Sequence, residues 1–217
     1  EISLGLVGSE MCIRDRVDDN KQQKLNALLN AAYDLFTTQS VEKTTIAEIS
    51  KAADVAKGTF YLYFKDKYEI RNRLISHESS KLFKDAVAAL EKKSSTASEE
   101  PAFEEKMIFI INYIVDALDG NHSLLTFISK NLSWGVFKEA LTTNVASNDI
   151  NFKDIYYEML STSGLSIEEP EILLFLVVEL VGSTCYSSIL YNEPANIGRI
   201  KPYLSRTVRA IIREYSK

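Results

Sequence analysis

The sequence predicts an all-α fold, on three observations. Turn-forming residues are scarce: 217 residues hold four prolines and eight glycines, whereas a sandwich or barrel needs a turn signal roughly every 8–12 residues. Apolar residues recur at steps of three and four along most of the chain, the period of helices with one buried face. Helix-start signals stand before these runs. In Thr45-Ile46-Ala47-Glu48, a hydroxyl and a carboxylate can each close the other's free amide.

The first helix is expected to start at the acceptors Asp18, Asp19 and Asn20 and to run to about Thr38. Leu25, Leu28, Leu29, Ala32, Leu35 and Phe36 form its apolar stripe. The box at Thr45 opens a short helix that buries Ile46, Ile49 and Ala53 and ends near Asp54. A third runs from about Ala56 to Tyr63. Asp66 and Glu69 repeat the capping logic and open a longer helix through Ile70, Leu74 and Leu82 towards Leu90. Lys92–Pro101 is small and polar and reads as a linker. Helices are then expected at 103–118, 123–131, 135–146 and 149–160, with Ser161–Glu169 a loop. Pro170 suits a first helical turn, and the helix it opens reaches about Tyr191. The last helix spans about Ile197 to Tyr215, with Ile200, Leu204, Val208, Ile211 and Ile212 on one face; Pro202 fits it only in the first turn or as a kink.

Glu1–Arg16 share neither periodicity nor composition with the rest of the chain. The string GLVGSEMCIRDR resembles translated sequencing-adapter sequence, and the segment lacks the basic start of a secretory signal. The expected division is therefore 1–17, an artefactual or disordered tail; 18–67, a three-helix unit; and 68–217, a helical bundle.

A net charge of −5 argues against a nucleic-acid binder, but its distribution does not. Residues 21–93 carry 13 Lys/Arg against 9 Asp/Glu, residues 94–217 carry 10 against 16, and residues 1–20 carry 2 against 5. A basic N-terminal third on an acidic body suits docking on phosphates. Cys12 and Cys185 fit neither a zinc spacing nor a disulfide framework, which points to a reducing cytoplasm. No apolar run approaches the roughly 18–20 residues that span a bilayer; the longest, Ile172–Val178, stops at Glu179.

Residues 45–67 read TIAEISKAADVAKGTFYLYFKDK. Two short helices with a tight turn at Asp54-Val55 make a helix-turn-helix, whose second helix can enter the major groove. Lys57 supplies a charge for phosphate or guanine, Gly58 lets backbone approach, and Thr59 offers a hydroxyl or a methyl. The phenols of Tyr61 and Tyr63 can reach phosphates. Lys67 reinforces the positive start of the next helix, and Thr44 and Thr45 offer hydroxyl and amide at the helix before. Phe60 and Phe64, four apart, read as core rather than contact, and Lys43 and Lys65 as peripheral.

This segment is similar to the DNA-binding domain of the TetR family. The shared pattern falls on Lys57, Gly58, Thr59, Phe60, Tyr61, Tyr63, Phe64 and Lys67, within a match from about Leu25 to Leu74. The resemblance implies a C-terminal domain that dimerises through its last two long helices and often encloses a small organic effector. Gly182, Ser183, Ser187 and Ser188 are small enough for helices to approach across such a seam, although an intramolecular bundle would use them equally. Phe109, Tyr113, Phe127, Trp134, Phe137, Tyr156 and Tyr186 are the expected aromatic wall of a pocket, with polar groups from Asn112, Asn131 and Glu179. Glu179 is costly to bury unpaired; it pairs across the dimer, faces solvent, or binds the effector. His77 and His122 have no ligand-spaced companions, so no metal is expected, and with no nucleophile motif, glycine-rich phosphate loop or carboxylate pair, neither a cofactor nor an enzymatic activity is expected.

The expected function is a cytoplasmic repressor that binds a palindromic operator in double-stranded DNA as a homodimer and is released by a small molecule. Two rivals stay open: a DNA-binding regulator without a small-molecule effector, and an all-helical ligand-binding protein with a vestigial motif.

Overall fold

A computed structural model of the chain describes residues 6–96, 99–131 and 152–216. Among them the regular structure is helical, apart from one isolated antiparallel bridge between Ile167 and Ser216. The helices are α1 (Leu6–Gln39), α2 (Ile46–Ala52), α3 (Lys57–Phe60), α4 (Lys67–Ser94), α5 (Phe103–Asp119), α6 (His122–Asn131), α7 (Phe152–Thr162), α8 (Pro170–Leu190) and α9 (Ile197–Tyr215). The expected helix over 135–146 lies outside the described residues. The backbone forms two compact units, Glu1–Leu74 and Ile75–Lys217, whose boundary falls within α4.

In the first unit the apolar stripe of α1 is buried at Leu28, Leu29, Ala32 and Phe36. These residues share a core with Val41, Ile49, Phe60, Phe64, Ile70 and Leu74. The helix differs from expectation at its start: it begins at Leu6, so Asp18–Asn20 lie inside it. A good cap residue ends a helix only where its neighbours cannot continue the helix. Nothing between Leu6 and Asp18 breaks it, and Glu10, Met11, Arg14 and Arg16 are strong helix formers.

In the second unit α8 packs on α5, α6 and α9, and α9 packs on α5. Leu204, Val208 and Ile212 of α9 are buried, as their spacing predicts. Along its contact with α5, α9 is also pinned by Lys201–Asp116 and Arg209–Glu105, both 2.6 Å, and Arg213–Glu104 at 3.0 Å. Such exposed pairs add little stability singly but align the two helices. Asn196 caps α9 by accepting the Arg199 amide at 3.0 Å, and Pro202 is accommodated inside the helix, past its first turn.

The 21-residue α8 corrects one expectation. Its mean hydropathy of 1.9 makes it long and apolar enough to cross a membrane. Glu179 does not break it, because a single carboxylate on an exposed face leaves the other faces apolar.

Candidate nucleic-acid interface and effector cavity

The helix-turn-helix forms as the residues dictate. Thr45 and Glu48 close the capping box: the Thr45 amide donates to the Glu48 carboxylate at 2.8 Å and the Glu48 amide to the Thr45 hydroxyl at 3.2 Å. Bonds from Thr45 to the carboxylate, the hydroxyl's first, hold the Glu48 carboxyl below its usual range. After α2 the chain reverses through Asp54, whose φ of +53° is the left-handed conformation an Asp tolerates in a turn. The regular part of α3 is only four residues long. Three-residue hydrogen bonds, Leu62 to Thr59 at 3.1 Å and Tyr63 to Phe60 at 3.0 Å, then carry the turn as far as Phe64. Phe60 and Phe64 are core, their ring centroids 5.5 Å apart.

With those two rings anchored, the intervening side chains turn outward. Lys57 and Gly58 are exposed, Thr59 and Tyr63 are half-buried, and Tyr61 is 53% exposed. A Cβ built on Gly58 would meet nothing within 4 Å, so no packing inside the chain demands glycine there. The most exposed large apolar side chain among the described residues is one that motif reasoning passed over. Leu62 is 80% exposed, and its only sequence signal was an apolar residue between two outward tyrosines.

Thr44, Thr45 and Lys67 already hold partners within the chain. Thr44 is fully buried; its hydroxyl donates to the Ser40 carbonyl at 2.7 Å and its amide to the same oxygen at 3.3 Å. The Thr45 amide and hydroxyl both donate to Glu48, each at 2.8 Å. Neither threonine keeps a donor for a phosphate. Two of the three ammonium hydrogens of Lys67 go to the carbonyls of Glu42, at 2.9 Å, and Thr44, at 3.0 Å. Lys67 thus ties the α1–α2 loop to the start of α4 and retains one donor. At that start Asp66 accepts the Glu69 amide at 2.9 Å, while Glu69 accepts the Lys65 amide at 2.6 Å. The expected reciprocal box is therefore displaced by one residue.

The described residues of the expected aromatic pocket make other contacts. Tyr156 is buried, donates to the Pro170 carbonyl at 3.0 Å and packs on Phe103 and Phe152. Its burial raises the phenol's pKa. Tyr186 pairs with Tyr191, hydroxyl to hydroxyl at 3.1 Å. The Phe109 ring lies under the Lys93 ammonium at 4.9 Å, Asn112 donates to Ser205 at 3.2 Å, Phe127 is buried and Tyr113 is half-buried. Glu179 is exposed. Trp134, Phe137 and the Asn131 side chain lie outside the described residues. None of Phe109, Tyr113, Phe127, Tyr156, Glu179 and Tyr186 lines an apolar cavity that described residues of the second unit enclose. That cavity, about 160 Å³, is walled instead by aliphatic side chains of α5 and α8, Ile110, Ile111, Ile114, Val177, Val178 and Val181 among them. Phe83 and Phe152 close it, and Ser79 and Ser80 supply its hydroxyl side chains. Aromatic residues at helical spacing went to ordinary packing, while the cavity walls have the composition of any core.

Among the described residues no group of three or more His, Cys, Asp or Glu could hold a metal. Cys185 is fully buried, its thiol pushed up to about 12 by desolvation, which makes it a packing residue.

The family pattern of bacterial regulatory proteins of the tetR family matches residues 28–74, the span that holds the buried half of α1, the capping box, the turn and the exposed Lys57–Tyr63 surface. Residues 28–74 thus resemble the N-terminal domain of that family. The chain is 31% identical over 105 residues to the fatty acid metabolism regulator protein of Bacillus subtilis (strain 168). That match covers 48% of this chain and 50% of the relative, so it spans about half of the relative's length. In fold, a TetR-family transcription regulator from Shewanella sp. PV-4 superposes with a TM-score of 0.61 at 16% identity, covering 89% of this chain and 98% of that one. The transcriptional regulator FadR from Bacillus subtilis, solved with stearoyl-CoA, gives a TM-score of 0.52 at 17% identity over 85% of this chain and 97% of that one. The TetR-type domain thus sits in a chain whose fold is that of TetR regulators, an N-terminal helix-turn-helix followed by a helical unit.

Proposed function

We propose that the protein is a DNA-binding transcriptional repressor, acting in the cytoplasm as a homodimer on a palindromic operator and released by a ligand carrying a long aliphatic chain. The observation that carries the DNA part is the outward Lys57–Gly58–Thr59–Tyr61 surface, on the second helix of a TetR-type helix-turn-helix. Lys57, Gly58, Thr59, Tyr61 and Tyr63 touch DNA, Lys67 reaches a phosphate with its remaining hydrogen, and Thr44 and Thr45 position α2. Dimerisation is supported by the outer face of α8. There Ile172, Glu179, Gly182 and Ser183 share an exposed side of a helix that is otherwise apolar. Glu179 then pairs across the seam.

The effector's class is supported by the cavity. Its walls are almost wholly hydrocarbon, suited to an alkyl chain and unsuited to a polar effector, whose hydrogen bonds would go unmet. The relative's role in fatty acid metabolism and the stearoyl-CoA bound by FadR agree with that chemistry. Release requires only that the effector bind more tightly to a state of lower operator affinity. The reading excludes an enzymatic role.

The test is selection of bound sequences from a random duplex library, followed by titration of the winning duplex complex with stearoyl-CoA and with free coenzyme A. A palindromic winner with a steep salt dependence, released by stearoyl-CoA but not by coenzyme A, is expected. No enriched sequence would overturn the DNA reading; release by neither compound would leave it standing and overturn the effector.

A further inference from the structure

Leu62 is out of place by the ordinary rules of burial. It is 80% exposed, while Phe60 and Phe64 on either side are 0% and 1% exposed. Its position is nevertheless fixed. Its amide donates to the Thr59 carbonyl at 3.1 Å, and the Phe64 amide closes the same turn on the Phe60 carbonyl at 3.0 Å. This sets Leu62 one turn beyond Gly58, on an open surface flanked by exposed Tyr61 and exposed Lys65. A branched aliphatic group held in water loses the transfer free energy that burial would return. Such a group on a basic surface built for the major groove calls for an apolar partner there. The groove offers one, the thymine C5-methyl; the other base-edge groups are hydrogen-bonding atoms that a leucine would desolvate without pairing. A phosphate gives it nothing to bond.

We propose that Leu62 is a specificity-determining residue that reads a thymine C5-methyl group in each operator half-site. The inference rests on the DNA-binding reading and adds to it a sequence-reading role. In the experiment each thymine of the selected operator is replaced singly by deoxyuridine, which removes only the methyl group. Affinities are measured for the full-length protein and for Leu62→Ala. For the unaltered protein, one position per half-site should lower affinity about fourfold, the factor that one buried methyl group represents. Leu62→Ala should bind the thymine and uracil duplexes equally. Because Leu62 packs on little of its own chain, the variant should keep its circular dichroism and thermal midpoint, so a loss is read as contact rather than misfolding. Equal affinity of the unaltered protein for every uracil duplex would overturn the proposal, as would methyl discrimination that survives in Leu62→Ala. Both results presuppose a selected operator, so they are distinct from failure of the DNA reading itself, in which nothing is enriched and both proposals fall.

Discussion

The Lys67 ammonium donates to the Thr44 carbonyl at 3.0 Å, joining the start of α4 to the residue that precedes the α2 cap. A second bond, to the Glu42 carbonyl at 2.9 Å, fixes the same loop. This lysine therefore contributes to the domain before any DNA arrives. Lys67→Ala should lower unfolding free energy by about 1–2 kcal/mol, since hydrogen bonds from a charged donor are lost at a partly exposed site. Operator affinity should fall with it. Lys57→Ala, on an exposed side chain, should weaken binding and reduce the salt slope by about 0.9 without changing stability. Chemical denaturation without DNA, beside affinity at several salt concentrations, separates the two. Equal stability of both variants would refute the structural role of Lys67.

Gly58 offers the reverse separation. Its added Cβ meets nothing, and glycine costs a helix about 1 kcal/mol relative to alanine. Gly58→Ala should therefore leave stability unchanged or raise it. Operator affinity should fall about tenfold, equivalent to about 1.4 kcal/mol, because the methyl group occupies the space the DNA needs. An alanine variant that binds as well as the parent would show that backbone does not approach DNA there.

The capping box carries a pH signature. Hydrogen bonds from the Thr45 hydroxyl and amide lower the Glu48 pKa in the folded chain. The fold thus favours the ionised carboxylate, and its stabilisation is complete above the unfolded carboxyl value of about 4.3. It is lost as pH falls through the lower folded value. Thr45→Ala should cost about 0.5–2 kcal/mol at neutral pH. The stability gap between parent and Glu48→Ala should narrow below about pH 4. A gap that stays constant down to about pH 2, the low end of perturbed carboxyl values, would mean that the carboxylate's charge contributes nothing.

The N-terminal unit was largely legible because its signals are local. A capping box needs two residues at fixed spacing, a left-handed turn selects Asp54, and Phe60 and Phe64 four apart announce a buried face. What escaped was which donors are already spent. Thr44 and Thr45 have the right atoms for a phosphate, but their partners Ser40 and Glu48 claim them through geometry that a residue list does not contain. The described helix spans of the second unit were read to within about three residues from apolar period and from Pro170. The cavity was not, because an Ile or Val facing a void has the same sequence signature as one facing a neighbour. Tyr156 and Phe127, with more surface to bury, went to the core instead.

The cavity itself yields a test in which chain length is the ruler. If an alkyl chain lies against Ile110, Ile111, Val177 and Val181, each methylene inside should contribute about 0.8 kcal/mol, roughly fourfold in affinity. A series of acyl-coenzyme A thioesters should then release operator at falling concentrations as the chain grows, until added carbons leave the cavity and the gain stops. Ile114→Trp and Val181→Phe place extra volume at two half-buried positions of the wall. Part of the ring should enter the void rather than strain packed neighbours, so stability should change by less than the about 1–3 kcal/mol of an overpacked core. Operator binding without effector should stay as in the parent, and the stearoyl-CoA concentration needed for release should rise at least about tenfold, some 1.4 kcal/mol. The plateau in the length series should move to shorter chains in both variants. A plateau that does not move, with release unchanged, would place the effector somewhere other than between α5 and α8, and the cavity would then be a packing defect with no part in control.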